Sequence, residues 1–384
     1  TVANSIQSTG TSTSVIVNGI ENSGRTSTIS SNMIRNLTAA SGTTAGGYAA
    51  PVAGIMVNVL NYSQTISQNI IHSISNTDSS NATVTAGIYL NSTSLTNLVE
   101  RNFIHSLNAN SVSGSINGIY TNGGNVDYQN NMIRLGIDGT GNSVPGCVIR
   151  GINEANGTNN FYFNSIYIGG TAASGSSKTF AFNSTVTANT RRYIDNIFFN
   201  ARSNAGGSGK HYAISAGGTA PLPTGLISDY NILHVTGSGS VLGFFNSTDQ
   251  PNLAAWKTAT GKDTNSISSD PQFTNPTGNS SAVNLHVDTL FTTPVESGGI
   301  SVSSVSNDFD GQARSALTPT DIGADAGNFK EQFAPSISYA LLPDAGLNTV
   351  NFSNVLITDA GGVNGSPGTR PRCYYKKKTN TNTY

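Results

Sequence analysis

The feature that most constrains this chain is a short segment that recurs along its first 240 residues. Each copy has an Asn, any residue, a large aliphatic or aromatic residue, and then a bulky or charged residue. The repeat asparagines are Asn32, Asn69, Asn102, Asn131, Asn164, Asn196 and Asn231. Subtracting successive residue numbers gives steps of 37, 33, 29, 33, 32 and 35 residues. A period of this length indicates a repeat architecture in which each unit stacks on the next.

A second marker keeps the same period but lies out of phase with the first. It is a Gly-Ile pair that begins at Gly19, Gly54, Gly87, Gly118 and Gly151, with looser copies at Phe182 and Ile214. Each repeat therefore holds at least two short strands, and no stretch shows helical periodicity. A single coil cannot bury its apolar residues alone, whereas a stack of coils can. We predict an all-β fold, a right-handed parallel β-helix of about seven or more coils.

Strand alternation assigns the side chains of the repeat to the two sides of each strand. The apolar residue two positions after each repeat Asn should point into the core. The repeat Asn should then point inward or into the turn, about 4.8 Å from its equivalents in the neighbouring coils. Because an amide carries both donors and an acceptor, a ladder of such asparagines can satisfy its own hydrogen bonds. We therefore predict a structural Asn ladder.

The position three residues after each repeat Asn should point outward and form one row along the stack. Its candidate ligand-binding members are Arg35, His72, His105, Arg134 and Tyr167. Arginine, histidine and aromatic side chains can hold sugars by stacking and by hydrogen bonds. The alternative is that bulky side chains simply stack on the surface and shield the strands.

Composition excludes several classes of protein. Only 10% of the residues are charged and the formal net charge is -1, so concentrated phosphate binding, and with it a nucleic-acid partner, is not expected. The two cysteines, Cys147 and Cys373, lie far apart and indicate neither a disulfide framework nor a zinc site. No apolar run approaches the roughly 20 residues that span a bilayer, so direct membrane insertion is not expected.

The repeat is lost after about residue 236, and a different set of pieces runs from the last copy of the repeat to residue 325. They are Ser-Asp-Tyr-Asn at 228–231, Trp256, Asp-Pro-Gln-Phe at 270–273, Asp-Phe-Asp-Gly at 308–311 and Asp-Ile-Gly-Ala-Asp at 321–325. Their order resembles the C-terminal part of secreted right-handed β-helix proteins of the pectate-lyase-like superfamily, as found in Bacteroidetes surface proteins. The resemblance covers roughly residues 15–328. It implies an irregular final coil and cap and an extracellular or cell-surface location.

These patterns predict three parts. Residues 1–236 form the coils, residues 237–328 form irregular terminal coils and a cap, and residues 329–384 hold a linker and strands that resemble the start of an immunoglobulin-like module of the same bacterial surface proteins. The strands of that module are expected at 337–342, 350–358 and 372–378. A sandwich of this kind needs about seven strands. We therefore expect a longer protein, with further modules and a sorting domain beyond Tyr384.

The acidic residues leave the function open between two classes. Seven precede position 200, namely Glu21, Asp78, Glu100, Asp127, Asp138, Glu154 and Asp195. No two occupy equivalent positions of adjacent coils, so no catalytic residue is predicted. The favoured hypothesis is a non-catalytic module that binds a polysaccharide or another surface glycan, or other surface or secretion proteins. The alternative is a polysaccharide lyase or glycoside hydrolase whose site is built from long turns, such as residues 38–52 or 200–211.

The sequence carries two further minor features. No cofactor and no metal site are predicted, although Asp308 and Asp310 leave calcium open; a turn role is the alternative for this Asp-Gly segment. Asp288-Thr289-Leu290 fits the short O-glycosylation pattern of the Bacteroidetes proteins that the chain resembles, with Thr289 as the acceptor.

Overall fold

The structure is a computed structural model that describes residues 6–8, 15–43, 50–93, 96–332, 336–338 and 355–358. It is an all-β protein with 3% helix and contains a parallel β-solenoid of about seven turns. The predicted all-β solenoid is therefore confirmed. The strands of each turn lie on three faces, and β12 and β14 each run through two of them.

The elements are, in chain order, β1 (Ile6–Ser8), β2 (Val17–Asn22), β3 (Ser27–Ser30), β4 (Met33–Ala39), β5 (Val52–Val59), β6 (Gln64–Ser67), β7 (Ile70–Asn76), β8 (Val84–Ser92), β9 (Asn97–Glu100), β10 (Phe103–His105), β11 (Asn108–Ala109), β12 (Ser115–Gln129), β13 (Met132–Leu135), β14 (Val148–Tyr162), β15 (Ser165–Ile168), β16 (Thr171–Ala172), β17 (Thr179–Ser184), β18 (Arg191–Ile194), β19 (Ile197–Asn200), β20 (Ser203–Asn204), β21 (His211–Ala216), β22 (Leu226–Asp229), β23 (Ile232–Val235), β24 (Ser240–Phe245), β25 (Thr248–Gln250), α1 (Leu253–Thr260), β26 (Phe273–Asn275), β27 (Asn284–Val287), β28 (Thr292–Thr293), a 3₁₀ turn (Arg314–Ala316), β29 (Lys330–Glu331), β30 (Ser336–Ser338) and β31 (Leu356–Thr358).

The three faces are defined by the strands that pair along them. The Asn face runs β1-β4-β7-β10-β13-β15-β19-β23, and its strands from β4 onward begin directly after a repeat Asn. The Gly face runs β2-β5-β8-β12-β14-β17-β21-β24 and carries the Gly-Ile marker. The third face is made of β3, β6, β9, the second halves of β12 and β14, β18 and β22. All of these pairings are parallel.

The apolar residues two positions after the repeat asparagines form one wall of the core, as predicted. They are Ile34, Ile71, Ile104, Ile133, Ile166, Phe198 and Leu233, and all are buried in a single hydrophobic cluster. Aromatic rings extend the stacking on the third face, where the ring centroids of Tyr128 and Phe161 lie 4.8 Å apart. Full burial of each large apolar side chain stabilises the fold by roughly 1.5–3 kcal/mol, so the stack of coils provides the core that one coil lacks.

The repeat asparagines form a continuous hydrogen-bonded ladder. Each Nδ2 donates to the Oδ1 of the next repeat Asn, at 2.9–3.1 Å. Each Oδ1 after the first also accepts the backbone N–H of the preceding repeat Asn. The residue before every repeat Asn has a positive φ of 53–59°. The chain therefore turns sharply at this corner, and the ladder satisfies the polar groups of the turn.

The ladder ends on a carboxylate. Asn231 donates through Nδ2 to Asp263 Oδ1 at 3.0 Å, and Asp263 also accepts from Trp256 Nε1 at 2.7 Å and from Ser228 Oγ. Helix α1 begins after the N-cap Asn252 and ends at Gly261 in the left-handed conformation. It places the fully buried Trp256 over the last coil, which explains why the tryptophan segment follows the end of the repeat.

Residues 268–332, which we call the cap, fold back along the outside of the Asn face. Their apolar residues Phe273, Leu285, Val287, Val295, Ile322 and Ala324 form a second core with Met132, Tyr167, Ile197, Phe199 and Ile232 of the solenoid. Arg314 joins the two parts, since it donates to Asn130 Oδ1 at 2.8 Å and to the Gly323 carbonyl at 2.7 Å. The apolar residues of the cap therefore cover the outer side of the Asn face.

The C-terminal part is described only at one antiparallel pair, β30 with β31. This pair gives weak support to the predicted partial sandwich. The third expected strand, at 372–378, and Cys373 lie outside the described residues. Cys147 is buried in the core, and burial raises the pKa of its thiol to about 11.

Candidate functional site

The outward row of the Asn face is not the open surface that the sequence predicts. Arg35 and His72 are partly exposed, but His105, Arg134 and Tyr167 are only 2%, 0% and 6% exposed. The prediction that these three lie on an accessible exterior ladder is therefore wrong. Alternation does point them away from the solenoid core, but Arg134 and Tyr167 contact the cap, and His105 is buried next to Arg134.

The covered residues of this row have structural contacts. Arg134 donates to Ser106 Oγ at 2.9 Å and to the Gly278 carbonyl of the cap at 2.8 Å. The imidazole of His105 stacks on that of His72, with ring centroids 4.7 Å apart. These contacts favour the shielding role for the covered members. A ligand role for Arg35 and His72 stays a prediction.

Burial of this row predicts acid sensitivity. Desolvation lowers the pKa of His105 to about 3, with further contributions from His72 and Arg134. The folded-state pKa lies below the usual 6.5, so the unfolded chain binds the proton first as the pH falls. The stabilising contribution is complete above pH 6.5 and is lost toward pH 3. When the pH falls from 7.5 to 5, we expect the unfolding free energy of the wild type to decrease by about 2 kcal/mol more than that of His105→Phe.

Urea denaturation of both proteins at the two pH values measures this difference. Phenylalanine keeps a ring on His72, so packing is nearly preserved and the comparison isolates the proton. Parallel pH profiles for the wild type and His105→Phe would show that His105 titrates normally in the folded protein.

A polar cleft lies on the third face and is lined by side chains that can form hydrogen bonds with a ligand. Its floor includes Leu98, Asp127 and Asn160, which are successive members of one outward row, and Arg192 continues this row beyond the cleft. The cleft has a volume of about 580 Å³ and is lined by Ser63, Gln64, Thr65, Thr96, Asn97, Leu98, Asn125, Asp127, Gln129, Asn160 and Ser304. Ser304 comes from the cap, which forms one wall.

Amide and carboxylate groups in and beside the cleft are connected from coil to coil. Asn160 donates through Nδ2 to Asp127 Oδ1 at 2.7 Å, and Gln129 donates through Nε2 to Glu100 Oε2 at 2.8 Å. Arg192 donates to Asn160 Oδ1 at 3.4 Å. These groups offer carboxylate and amide acceptors beside amide and guanidinium donors. A polyhydroxylated ligand needs such a mixture, because each hydroxyl both donates and accepts.

The sequence analysis looked for acidic residues at equivalent positions of adjacent coils, and it missed this site for a geometric reason. Asp127 pairs with Leu98 on the neighbouring strand, and Glu100 lies two residues further along that strand. Both carboxylates therefore point to the same side of the sheet as diagonal neighbours. Glu100 lies two residues before the repeat residue Asn102, and Asp127 lies four residues before Asn131. A search that also compares positions two residues apart would have found this pair of carboxylates.

A second group of side chains could hold a metal ion. His286, Asp310 and Asp325 each offer one ligand atom, and these atoms lie within 4.8 Å of one another. His286 Nδ1 lies 2.6 Å from Asn284 Oδ1, which leaves Nε2 facing Asp310. An imidazole with two carboxylates suits zinc or manganese better than calcium. Asp308 has the turn role, since it accepts the backbone N–H groups of Gln312 and Ala326.

The predicted modification site lies in an exposed turn. Thr289 is exposed, and the turn is held by Asp288 Oδ1, which accepts the Leu290 N–H at 2.9 Å. The position is therefore accessible to a modifying enzyme, and O-glycosylation of Thr289 stays a prediction.

Comparisons with protein-family models, with curated proteins and with solved structures give no match to this chain. The class of protein thus rests on the fold, which is a parallel β-solenoid. In the part of the chain that the structure describes, no helix has the length and apolarity needed to cross a membrane.

Proposed function

We propose that the protein is a non-catalytic, extracellular or cell-surface β-solenoid module that binds a polysaccharide in the cleft of the third face. The cleft carries the proposal, because its volume and its dense amide, hydroxyl and carboxylate lining suit a glycan. The rise from coil to coil, about 4.8 Å, is close to the length of one sugar residue. A glycan chain that lies along the solenoid axis can therefore contact equivalent positions of successive coils. Adhesion to surface glycans, or to other surface or secretion proteins, is the proposed role of the whole module.

Two substitutions in the cleft test this function. We expect Asp127→Ala and Asn160→Ala each to weaken binding at least tenfold, about 1.4 kcal/mol, because each removes a hydrogen-bonding group and leaves its partner unpaired. A glycan array finds the polysaccharide, and isothermal titration of the purified variants measures the affinity. Thr28→Ala is the matched control, since Thr28 lies in the same outward row but outside the cleft. Equal affinity of all three variants would contradict the proposed cleft.

A second candidate, a polysaccharide lyase or glycoside hydrolase, is favoured by one observation. Two carboxylates, Glu100 and Asp127, face the same side of the sheet, and Arg192 lies two coils beyond Asp127 in its row. Paired carboxylates can provide acid and base groups for glycoside cleavage. Incubation of the bound polysaccharide with the protein separates the candidates. New reducing ends or unsaturated products that disappear in Glu100→Gln would show an enzyme, whereas an intact polymer supports the binding module.

A further inference from the structure

The outer side of the Gly face holds a buried polar side chain with no partner. Asn117 is 1% exposed, and neither its Oδ1 nor its Nδ2 has a hydrogen-bond partner in the described part of the chain. A buried amide without partners costs free energy, by roughly 1–3 kcal/mol for each unsatisfied group. The repeat asparagines satisfy one another in their ladder, whereas the donor and the acceptor of this buried amide are both unpaired and can take up a ligand.

The next coil places a guanidinium directly beside this amide. Arg150 is the register partner of Asn117 and is only partly exposed. No described residue accepts a hydrogen bond from Arg150 or forms an ion pair with it. Its Nε is buried without a partner, and burial lowers the pKa of its side chain. A partly buried cation without a counter-ion attracts an anion.

The other buried arginines differ from Arg150 in their terminal nitrogens, which donate hydrogen bonds, although their Nε atoms lack a partner as well. Arg191 donates to the carbonyl oxygens of Asn189, Thr224 and Gly217, and Arg202 donates to four carbonyl oxygens. Each of those guanidinium groups joins neighbouring coils. Arg150 joins none, so a role in holding the coils together does not account for it.

The neighbouring side chains define what kind of anion fits. Phe180 follows Arg150 in the same outward row, and Tyr120, Asn153 and Asn183 form the adjacent row. Asn183 donates through Nδ2 to Asn153 Oδ1 at 2.8 Å, so these two amides form a short ladder beside the guanidinium. None of these neighbours is acidic. Aromatic rings and amides around a cation suit a ring that carries both hydroxyls and a negative charge.

We propose that Arg150, together with Asn117, binds the carboxylate or sulfate group of an acidic sugar on the Gly face. The guanidinium forms a bidentate pair with the oxyanion, and Asn117 Nδ2 donates to it. The ring packs against Tyr120 or Phe180, and its hydroxyls reach Asn153 and Asn183. The site is separate from the cleft and rests on the proposed glycan-binding function only for the origin of the sugar.

Titration of the whole chain with sodium glucuronate, sodium sulfate and glucose tests the site. We expect glucuronate to bind and glucose not to bind, and Arg150→Gln to weaken glucuronate binding at least tenfold. Arg25→Gln, at an exposed arginine, is the matched control and should not change the affinity. Tighter binding of glucuronate than of sulfate shows that the sugar ring contributes. Equal binding of the two shows a site for the oxyanion alone and overturns the sugar part of the proposal.

Asn117→Leu distinguishes a binding role from a structural one. If Asn117 contacts the anion, the variant binds glucuronate more weakly although its unfolding free energy is unchanged or higher. Unchanged glucuronate affinity in both Arg150→Gln and Asn117→Leu would falsify the site. Neither variant touches the cleft, so polysaccharide binding that depends on Asp127 should persist in both. Loss of one activity without the other therefore tells which of the two proposals fails.

Discussion

Replacement of Gly118 by alanine is expected to lower the free energy of unfolding by roughly 3 kcal/mol, at the upper end of the usual range for overpacked cores. Gly118 lies in β12, in the middle of the stack. A Cβ at this position would lie 2.5 Å from the Gly151 carbonyl oxygen and 2.5 Å from Ile133 Cγ2. The first atom is backbone of the next coil and the second is a packed core side chain, so neither can move cheaply.

Urea denaturation followed by circular dichroism measures this effect. Gly24→Ala is the matched control, because its nearest neighbour would be Asn22 Oδ1 at 3.6 Å and Gly24 is exposed. Alanine there should be neutral or slightly stabilising, since it restricts the unfolded chain. A Gly118→Ala protein as stable as the control would show that the coils can separate locally to admit a methyl group.

The fold could be predicted from the sequence because its two markers report two physical constraints of one coil. The repeat Asn satisfies the polar groups of a sharp corner, and the repeat Gly allows the Gly face to approach the Asn face. Both constraints act between adjacent coils and recur with the period of the chain. The positive φ of the residue before each repeat Asn could not be predicted in this way. That residue is variously Ser31, Gln68, Phe163 or another type, and no glycine marks it.

The accessible surface could not be predicted, because it depends on contacts between distant parts of the chain. Alternation indicates that Arg134 and Tyr167 leave the solenoid core. Only the folded chain shows that Gly278 and Phe273 of the cap lie over them. The cleft was missed for the opposite reason, since it is built from side chains two positions apart on neighbouring strands. Equivalent positions in successive coils define the solenoid. The cleft instead combines diagonal neighbours on adjacent strands, and the cap determines which rows are exposed.

The Asn ladder has a direction, and this gives the second large prediction. Asn131 donates through Nδ2 to Asn164 Oδ1 and to the Val99 carbonyl, while its Oδ1 accepts from both nitrogens of Asn102. Removing the amide in Asn131→Ala leaves several buried groups short of a partner. At about 1–3 kcal/mol for each unsatisfied group, we expect a loss of roughly 3–5 kcal/mol in unfolding free energy.

The first rung of the ladder provides the control. Asn32 is partly exposed and donates to Asn69 Oδ1, and water can replace that donor when Asn32→Ala removes it. We therefore expect Asn32→Ala to cost no more than about 1 kcal/mol. Equal losses for the first and the middle rung would mean that the ladder contributes packing rather than hydrogen bonds.

Asn131→Asp tests the direction itself. The aspartate keeps the acceptor toward Asn102 but presents a second oxygen to Asn164 Oδ1 and to the Val99 carbonyl. The native chain uses aspartate only at the last rung, where every hydrogen-bonding neighbour of the Asp263 carboxylate is a donor. In mid-ladder the carboxyl must take up a proton to donate, so its folded-state pKa should rise. Relative to the wild type, Asn131→Asp should therefore be more stable at pH 5 than at pH 8, and a pH-independent difference in urea denaturation would show that the ladder has no preferred direction.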